Sequence, residues 1–342
     1  MNAGWFQDAQ GDMKCDDAVV VSCGTNNRNN TQNLAFTYGY RKPTVTQVGT
    51  IAFFSGGPGT APADTPEQMS FAQDYLNAGY EIIQVQWNSD WEDTGSGTGT
   101  NIQYAACRPA TFLKYVHDTS KLHSTGGMCA QGESAGAGAV GYALAWYGAY
   151  NWLDKVELLS GPVFSDIQQG CREDVEVPTP PVDICASSDP HCVLGGSETD
   201  WWIGPAYISF YATHVRAWTG DSSCAIPGTT TTPTSNQNWL NQSIVNGTSN
   251  ATFSYPNTSI GGWVCRSEAD NLGPNNSAPQ AELFFRQVSS GQQYKVYPVE
   301  ACLHQENVAA TGTYVPALNN ISGYSAIFND MATGQARCPV PH

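Results

Sequence analysis

Three observations predict an α/β protein with a mostly parallel central sheet, helices on both faces and an inserted lid. Apolar runs of strand length alternate with helix-length segments over residues 33–159, and again over 260–330. The run Gly132-Glu133-Ser134-Ala135-Gly136 sits between a short apolar segment and an Ala-rich stretch, a strand–turn–helix context. From about residue 165 to 250 the alternation stops, and segments rich in Pro, Thr and Cys replace it. The expected organisation is a core over residues 1–164, an inserted lid over 165–250 and a second core portion over 251–342.

The elements follow in order. After a polar, cysteine-bearing start, residues 33–40 and 49–54 read as strands, the second broken by Ser55-Gly56-Gly57-Pro58-Gly59. A helix over 65–78 carries Pro66 in its first turn, where a missing N–H costs nothing. The strand 80–87 is apolar and β-branched, and a Gly/Ser/Thr loop over 94–100 leads to a helix over 101–117. Residues 127–131 form the strand before the Gly-x-Ser-x-Gly run, 135–150 the helix after it, and 155–159 the next strand. Within the lid, residues 201–218 are the one convincingly helical stretch, while 178–181 and 229–234 read as loops. A strand over 260–266, a helix over 279–288, a strand over 294–299 and a helix after Asn320 complete the chain.

Composition narrows the function. A formal net charge of −16 opposes binding to nucleic acid or to an anionic membrane surface, and no apolar run reaches transmembrane length. Eleven cysteines without a Cys-x-x-Cys pair or zinc-type spacing read as disulfides, with Cys15/Cys23 and Cys185/Cys192 close enough for local bridges. Seven Asn-x-Ser/Thr sequons begin at Asn29, Asn241, Asn246, Asn250, Asn257, Asn275 and Asn320. Together these point to a secreted protein. No signal peptide opens the sequence, which reads as a mature form behind an initiator Met.

Ser134 is the candidate nucleophile, and a serine hydroxyl needs a base. Of six histidines, His304 alone follows a late apolar strand and precedes the final helix, the chain position of the base. His117 and His123 precede the Gly-x-Ser-x-Gly run, His191 and His214 fall in the lid, and His342 is terminal. Asp270, in the loop after the strand that follows the lid, is the expected acid, with Glu268, Asp154 and Asp166 as alternatives. The oxyanion donors are expected at the amides of Ala135 and Gly57, with Gly59 as an alternative to Gly57, since Pro58 has no N–H. Glu133, Trp87 and Trp91 are candidate substrate-binding residues, the two tryptophans equally serving as core.

These residues resemble the α/β-hydrolase superfamily over most of the chain outside the lid. Phe54-Ser55-Gly56-Gly57-Pro58-Gly59 is similar to the His-Gly-Gly-Pro-Gly loop of the proline-iminopeptidase-like branch, with Ser55 in place of the His. The Gly-x-Ser-x-Gly run with Leu159-Ser160-Gly161-Pro162 also resembles secreted hydrolases. The resemblance implies the α/β-hydrolase fold and a Ser-His-Asp mechanism without metal or organic cofactor. The function expected is that of a secreted carboxylic-ester hydrolase acting on a small-molecule or polymeric ester. An exopeptidase is the alternative, with Asp183, Asp189, Glu198 and Asp200 available to hold a substrate amine, and a non-catalytic binding protein is the remaining reading.

Overall fold

The strand β3 (Gly49–Phe54) is apolar without alternation because both of its faces are covered. Ile51 and Phe53 pack in one hydrophobic cluster, Ala52 and Phe54 in another on the opposite side of the sheet. The computed structural model describes residues 7–13, 34–61, 66–92, 102–167, 233–245, 251–265, 277–289, 291–299, 323–333 and 337–338.

Within these residues β3 is joined in one eight-stranded sheet by β1 (Gln7–Met13), β2 (Leu34–Arg41), β4 (Tyr80–Trp87), β5 (Gly127–Glu133), β6 (Lys155–Leu159), β7 (Ser259–Cys265) and β8 (Tyr294–Val299). The order is β1-β2-β4-β3-β5-β6-β7-β8. The pairings of β2 with β1 and β4 are antiparallel and all others parallel. Pro298 falls in β8, an edge strand, where a missing N–H is tolerated. Strand β1 was not expected from the sequence. Its residues Gln7, Asp8, Gln10 and Asp12 carry no apolar alternation, and only pairing with β2 identifies it.

Helices α1 (Pro66–Asn77) and α7 (Gly323–Ala332) cover one face. The other face carries α3 (Cys107–Asp118), α4 (Ala135–Tyr147), α5 (Pro233–Gln242) and α6 (Ser277–Gln287). The single helix expected over 101–117 is two, α2 (Ile102–Ala105) and α3, joined through Ala106. Pro109 explains the break, because it cannot donate to the Ala105 carbonyl and its ring crowds that group. The helix expected over 135–150 stops earlier, at Gly148, whose φ of 69° caps α4 in the left-handed region. Helix α5 begins at Pro233, inside a segment expected as loop, with Pro again at a first helical position.

The described segments on either side of residues 168–232 meet. The Val245 N–H donates to Ser165 O (2.8 Å), Ile244 N–H to Phe164 O (3.0 Å) and Ile167 N–H to Ser243 Oγ (2.8 Å). Trp239 and Ile244 are fully buried with α4, so the returning limb is anchored in the core. The expected disulfide chemistry is present: Cys129 of β5 bonds Cys338, 209 residues away. Cys107 is also disulfide-bonded. Cys15, Cys23, Cys185 and Cys192 lie outside the described residues.

Among the buried polar groups of this core, those on β4 and β6 carry consequences for stability. Glu81 on β4 is fully buried, accepts from Gln47 Nε2 (3.1 Å) and lies 4.0 Å from Lys42 Nζ. Burial raises its pKa from 4.5 to about 7, against the pull of Lys42 and Gln47. A raised folded-state pKa gives stability that is complete below the unfolded value and lost as pH rises through the folded one. Glu81→Gln is therefore expected to raise the urea midpoint at about pH 8 and to leave it unchanged at about pH 4. An equal shift at both pH values would show that ionisation is not the cause.

The second site joins Lys155 and Glu157 of β6 to Asp330 of α7. Lys155 Nζ donates to the Asp330 carboxylate and backbone carbonyl (2.8 Å to the latter) and lies 3.4 Å from Glu157 Oε1. Trp263 Nε1 donates to Glu157 and the Tyr297 hydroxyl to Asp330. The Trp263 and Tyr297 rings stack at 3.9 Å. A side chain at position 261 would overlap the Glu157 carboxylate, which accounts for Gly261 in β7. Burial pushes Glu157 well above the carboxylate range. Asp330 is also pushed up by burial, but Lys155 and the hydrogen bonds of Glu157, Lys155 and Tyr297 bring it below its ordinary value.

Candidate active site

Parallel strands β3, β5, β6, β7 and β8 end at one edge of the sheet, where β5 passes into α4 through a single residue, Ser134. Ser134 has φ 51° and ψ −116°, outside the regions L-residues ordinarily occupy. Such a conformation costs about 1–3 kcal/mol and persists only where its surroundings enforce it. They do so here: the Ser134 N–H donates to Leu159 O (2.8 Å), and its carbonyl accepts from Gly138 N–H (3.0 Å), opening α4. A side chain at Gly132 would overlap the Gly136 carbonyl, and one at Gly136 would overlap the Phe54 carbonyl. The glycines of the motif are thus required by strand β3 and by each other.

The loop after β3 lies against this turn. A Cβ on Gly56 would stand 3.4 Å from Ser134 Cβ. Gly59 N–H donates to Gly56 O (3.3 Å), which closes a turn with Gly57 at φ 59°. That bond occupies the Gly59 N–H, so Gly59 gives way to Gly57 as the loop's candidate oxyanion donor. A Cβ on Gly57 would meet no atom within 4 Å. Ala135 is at the first turn of α4, where backbone N–H groups have no partner within the helix. Ser55, standing where the proline-iminopeptidase loop has His, holds the far side of the loop by donating to Ala61 O (2.8 Å).

Trp87 and Trp91 are 2% and 1% exposed. Gly59 packs directly on both, the Trp87 N–H donates to Gly59 O (2.9 Å), and the Trp91 N–H donates to Pro58 O (3.2 Å). Burial gives both tryptophans the core role, as supports beneath the Gly-rich loop. Arg108, also buried, fixes Trp91 by donating to its carbonyl (2.7 Å). That role of Arg108 was not foreseen, because a helical Arg ordinarily reads as solvated.

Glu133 lines a small pocket beside the turn, with Phe53, Phe71, Gln68, Gln131 and Tyr324. Ser55, Phe54 and Leu159 complete it. The Tyr75 hydroxyl donates to Gln131 Oε1 (3.2 Å) and orients that amide.

Three other sequence candidates are at the wrong end of the sheet. His123 Nδ1 is 3.2 Å from Thr50 Oγ1 and its ring stacks on His117 at 5.6 Å. Thr50 pairs with Met128, six residues before Ser134, or about 20 Å along the strand. Asp154 accepts from the Met128 N–H (2.8 Å) at the same distant end. His117, His123 and Asp154 are thereby removed as partners of Ser134. Asp166 follows β6, and its N–H donates to Gln280 Oε1 (2.7 Å). His304, Asp270 and Glu268 lie outside the described residues.

No protein-family model matches the sequence, and no curated protein does. Among solved structures, one from a study of two prolyl endopeptidases matches 96% of this chain and 39% of that chain, with a TM-score of 0.52 at 11% identity. Brefeldin A esterase, a bacterial homologue of human hormone-sensitive lipase, matches 86% of this chain and 68% of its own, with a TM-score of 0.48 at 14% identity. A hyperthermophilic esterase from the archaeon Pyrobaculum calidifontis matches 87% of this chain and 76% of its own, with a TM-score of 0.45 at 13% identity. At such identities the likeness extends to the fold alone, and the strand order with its antiparallel β2 agrees with it. The chain has the α/β-hydrolase fold.

Proposed function

We propose that the protein is a secreted serine hydrolase that cleaves carboxylic esters through an acyl-enzyme on Ser134. The observation that carries this reading is the strained conformation of Ser134 at the junction of β5 and α4, with the Gly56–Gly57 loop against it. Positive φ at a strand–turn–helix junction, with a Gly-rich loop against the same residue, suits a nucleophile held clear of strand and helix.

In this reading Ser134 Oγ attacks the ester carbonyl while His304 takes its proton, and Asp270 orients the imidazole. The oxyanion is held by the amides of Gly57 and Ala135. His304 then protonates the departing alcohol, and a water activated by the same imidazole releases the acid. What supports the partners is topology: β7 and β8 end at the same edge as β5, and Asp270 and His304 each follow their strand by five residues. Those strands lie two and three positions from β5, about 10 and 14 Å, while five extended residues span about 17 Å.

The Cys129–Cys338 bond and the exposure of the sequon residues Asn241 and Asn257 support export. Residues 165–250, within which Val245 pairs with Ser165, are proposed as the inserted lid.

A fluorophosphonate probe is expected to label Ser134 stoichiometrically in folded protein. No adduct would leave only a binding role for the scaffold. In the same preparation kcat/KM should fall as pH drops through the imidazole pKa, about 6.5, because the base must be neutral to accept the proton. A rate unchanged down to about pH 4 would exclude a histidine of ordinary pKa.

A further inference from the structure

We propose that Arg108 is a positioning residue for the oxyanion hole, acting through a relay of peptide groups that begins at Trp91 and ends at the Gly57 N–H. The inference rests on Ser134 being the nucleophile and Gly57 an oxyanion donor, and adds what holds that donor in place.

The relay follows from the planarity of the peptide group. In a trans peptide the C=O and N–H point in opposite directions, so fixing one fixes the other. The Gly56–Gly57 and Pro58–Gly59 peptides are both trans. The Trp91 N–H donates to Pro58 O (3.2 Å), which sets the direction of the Gly59 N–H. The Gly59 N–H donates to Gly56 O (3.3 Å), which sets the direction of the Gly57 N–H. Gly56 is the residue that lies against Ser134 Cβ, so the relay ends beside the nucleophile. The two peptide dipoles line up head to tail, and each hydrogen bond in such a chain strengthens the next donor.

Trp91 is fixed on its far side as well. Its carbonyl accepts from Arg108 Nη1 (2.7 Å), and the N–H of the same peptide, that of Glu92, donates to Asp90 Oδ1 (2.9 Å). Arg108 is 2% exposed and lies on α3, so its guanidinium ties the support of the loop to a helix packed in the core. Further along the loop, the Trp87 N–H donates to Gly59 O (2.9 Å), Gln86 Nε2 to Thr60 O (2.7 Å) and Ser55 Oγ to Ala61 O (2.8 Å). Four consecutive carbonyls, from Pro58 to Ala61, therefore each accept a hydrogen bond. The bond from Arg108 stands at the head of the relay and is charge-assisted. Its loss leaves a buried carbonyl unpaired and lets residue 91 turn, and the Gly57 N–H turns with it.

Arg108→Met and Arg108→Lys test this, with end-point fluorophosphonate titration counting reactive Ser134 in each preparation. Two ketones of matched chain serve as probes. A trifluoromethyl ketone adds the serine hydroxyl and carries an oxyanion; its methyl counterpart binds without adding. Per titrated site, Arg108→Met should lower kcat/KM for an ester by about 10–100-fold, less than the roughly 10²–10³-fold of deleting a donor outright. The Ki of the trifluoromethyl ketone should rise by the same factor while that of the methyl ketone holds. Arg108→Lys, which keeps a charged donor, should fall between Arg108→Met and wild type. Should Arg108→Met not fold, Asp90→Ala, which releases the other end of the Trp91–Glu92 peptide, should show the same parallel between kcat/KM and the trifluoromethyl ketone. An unchanged kcat/KM in the folded variants, or a loss shared equally by both ketones, would overturn the proposal while leaving the Ser134 mechanism standing. Wild-type protein with neither labelling nor turnover would remove that mechanism and the proposal with it.

Discussion

Ser134→Gly is expected to abolish ester turnover and at the same time make the protein more stable. Loss of the nucleophile should lower kcat by about 10⁴–10⁶-fold. His304→Ala should fall as far, since nucleophile and base act as a unit and removing either removes the step they share. The stability gain has a separate cause. At φ 51° and ψ −116° a serine is strained and a glycine is not. Release of about 1–3 kcal/mol of strain exceeds the roughly 0.5–1 kcal/mol that glycine's greater unfolded-state freedom costs. A net gain of about 1 kcal/mol in urea titration is the expected result. Ser134→Ala keeps the strain and should be equally inactive without that gain. A Ser134→Gly protein less stable than Ser134→Ala would refute the strain account. For the acid, Asp270→Ala should lose activity and Glu268→Ala retain it; the reverse would transfer the role to Glu268.

The second large effect is at Lys155. Its ammonium group, 1% exposed, is the cation described between Glu157 and Asp330. Lys155→Met fits the volume but leaves buried carboxyl groups uncompensated, a change expected to cost about 3–5 kcal/mol. Without the lysine the Asp330 pKa rises. Stability of the variant should then recover as pH falls, because a raised folded-state pKa favours the folded protein on the acid side. Adding Glu157→Gln and Asp330→Asn to Lys155→Met should restore most of the loss, since no buried charge then remains. A loss below about 1 kcal/mol for the single variant would mean that the charge is not what holds β6 to α7.

The two effects mark what a sequence shows and what it hides. The turn at Ser134 was legible because its backbone constraints are local. Gly132, Ser134 and Gly136 are constrained by each other and by strand–turn–helix order, all visible in five consecutive letters. The central strands were legible because burial on both faces writes unbroken apolar runs. The Lys155–Glu157–Asp330 site was not, since it depends on the register of β6 against β7 and on α7, 175 residues away in the chain. Polar β1 was hidden for the same reason, being a strand only by virtue of its partner. Trp87 and Trp91 show a third case. Aromatic residues near the C-terminal edge of the sheet suit a pocket or a support in sequence, and their burial against Gly59 separates the two. Pro109 could have been read correctly: a proline three residues into α3 states that the helix restarts there.

Cys338 is translated 209 residues after Cys129, which belongs to a strand at the middle of the sheet. At ribosomal speeds of about 5–20 residues per second, roughly 10–40 s separate the two during synthesis. Throughout that interval the central strand carries an unprotected thiol. The native cross-link can close only after residue 338 has emerged, which places its formation well after the central strands have been made.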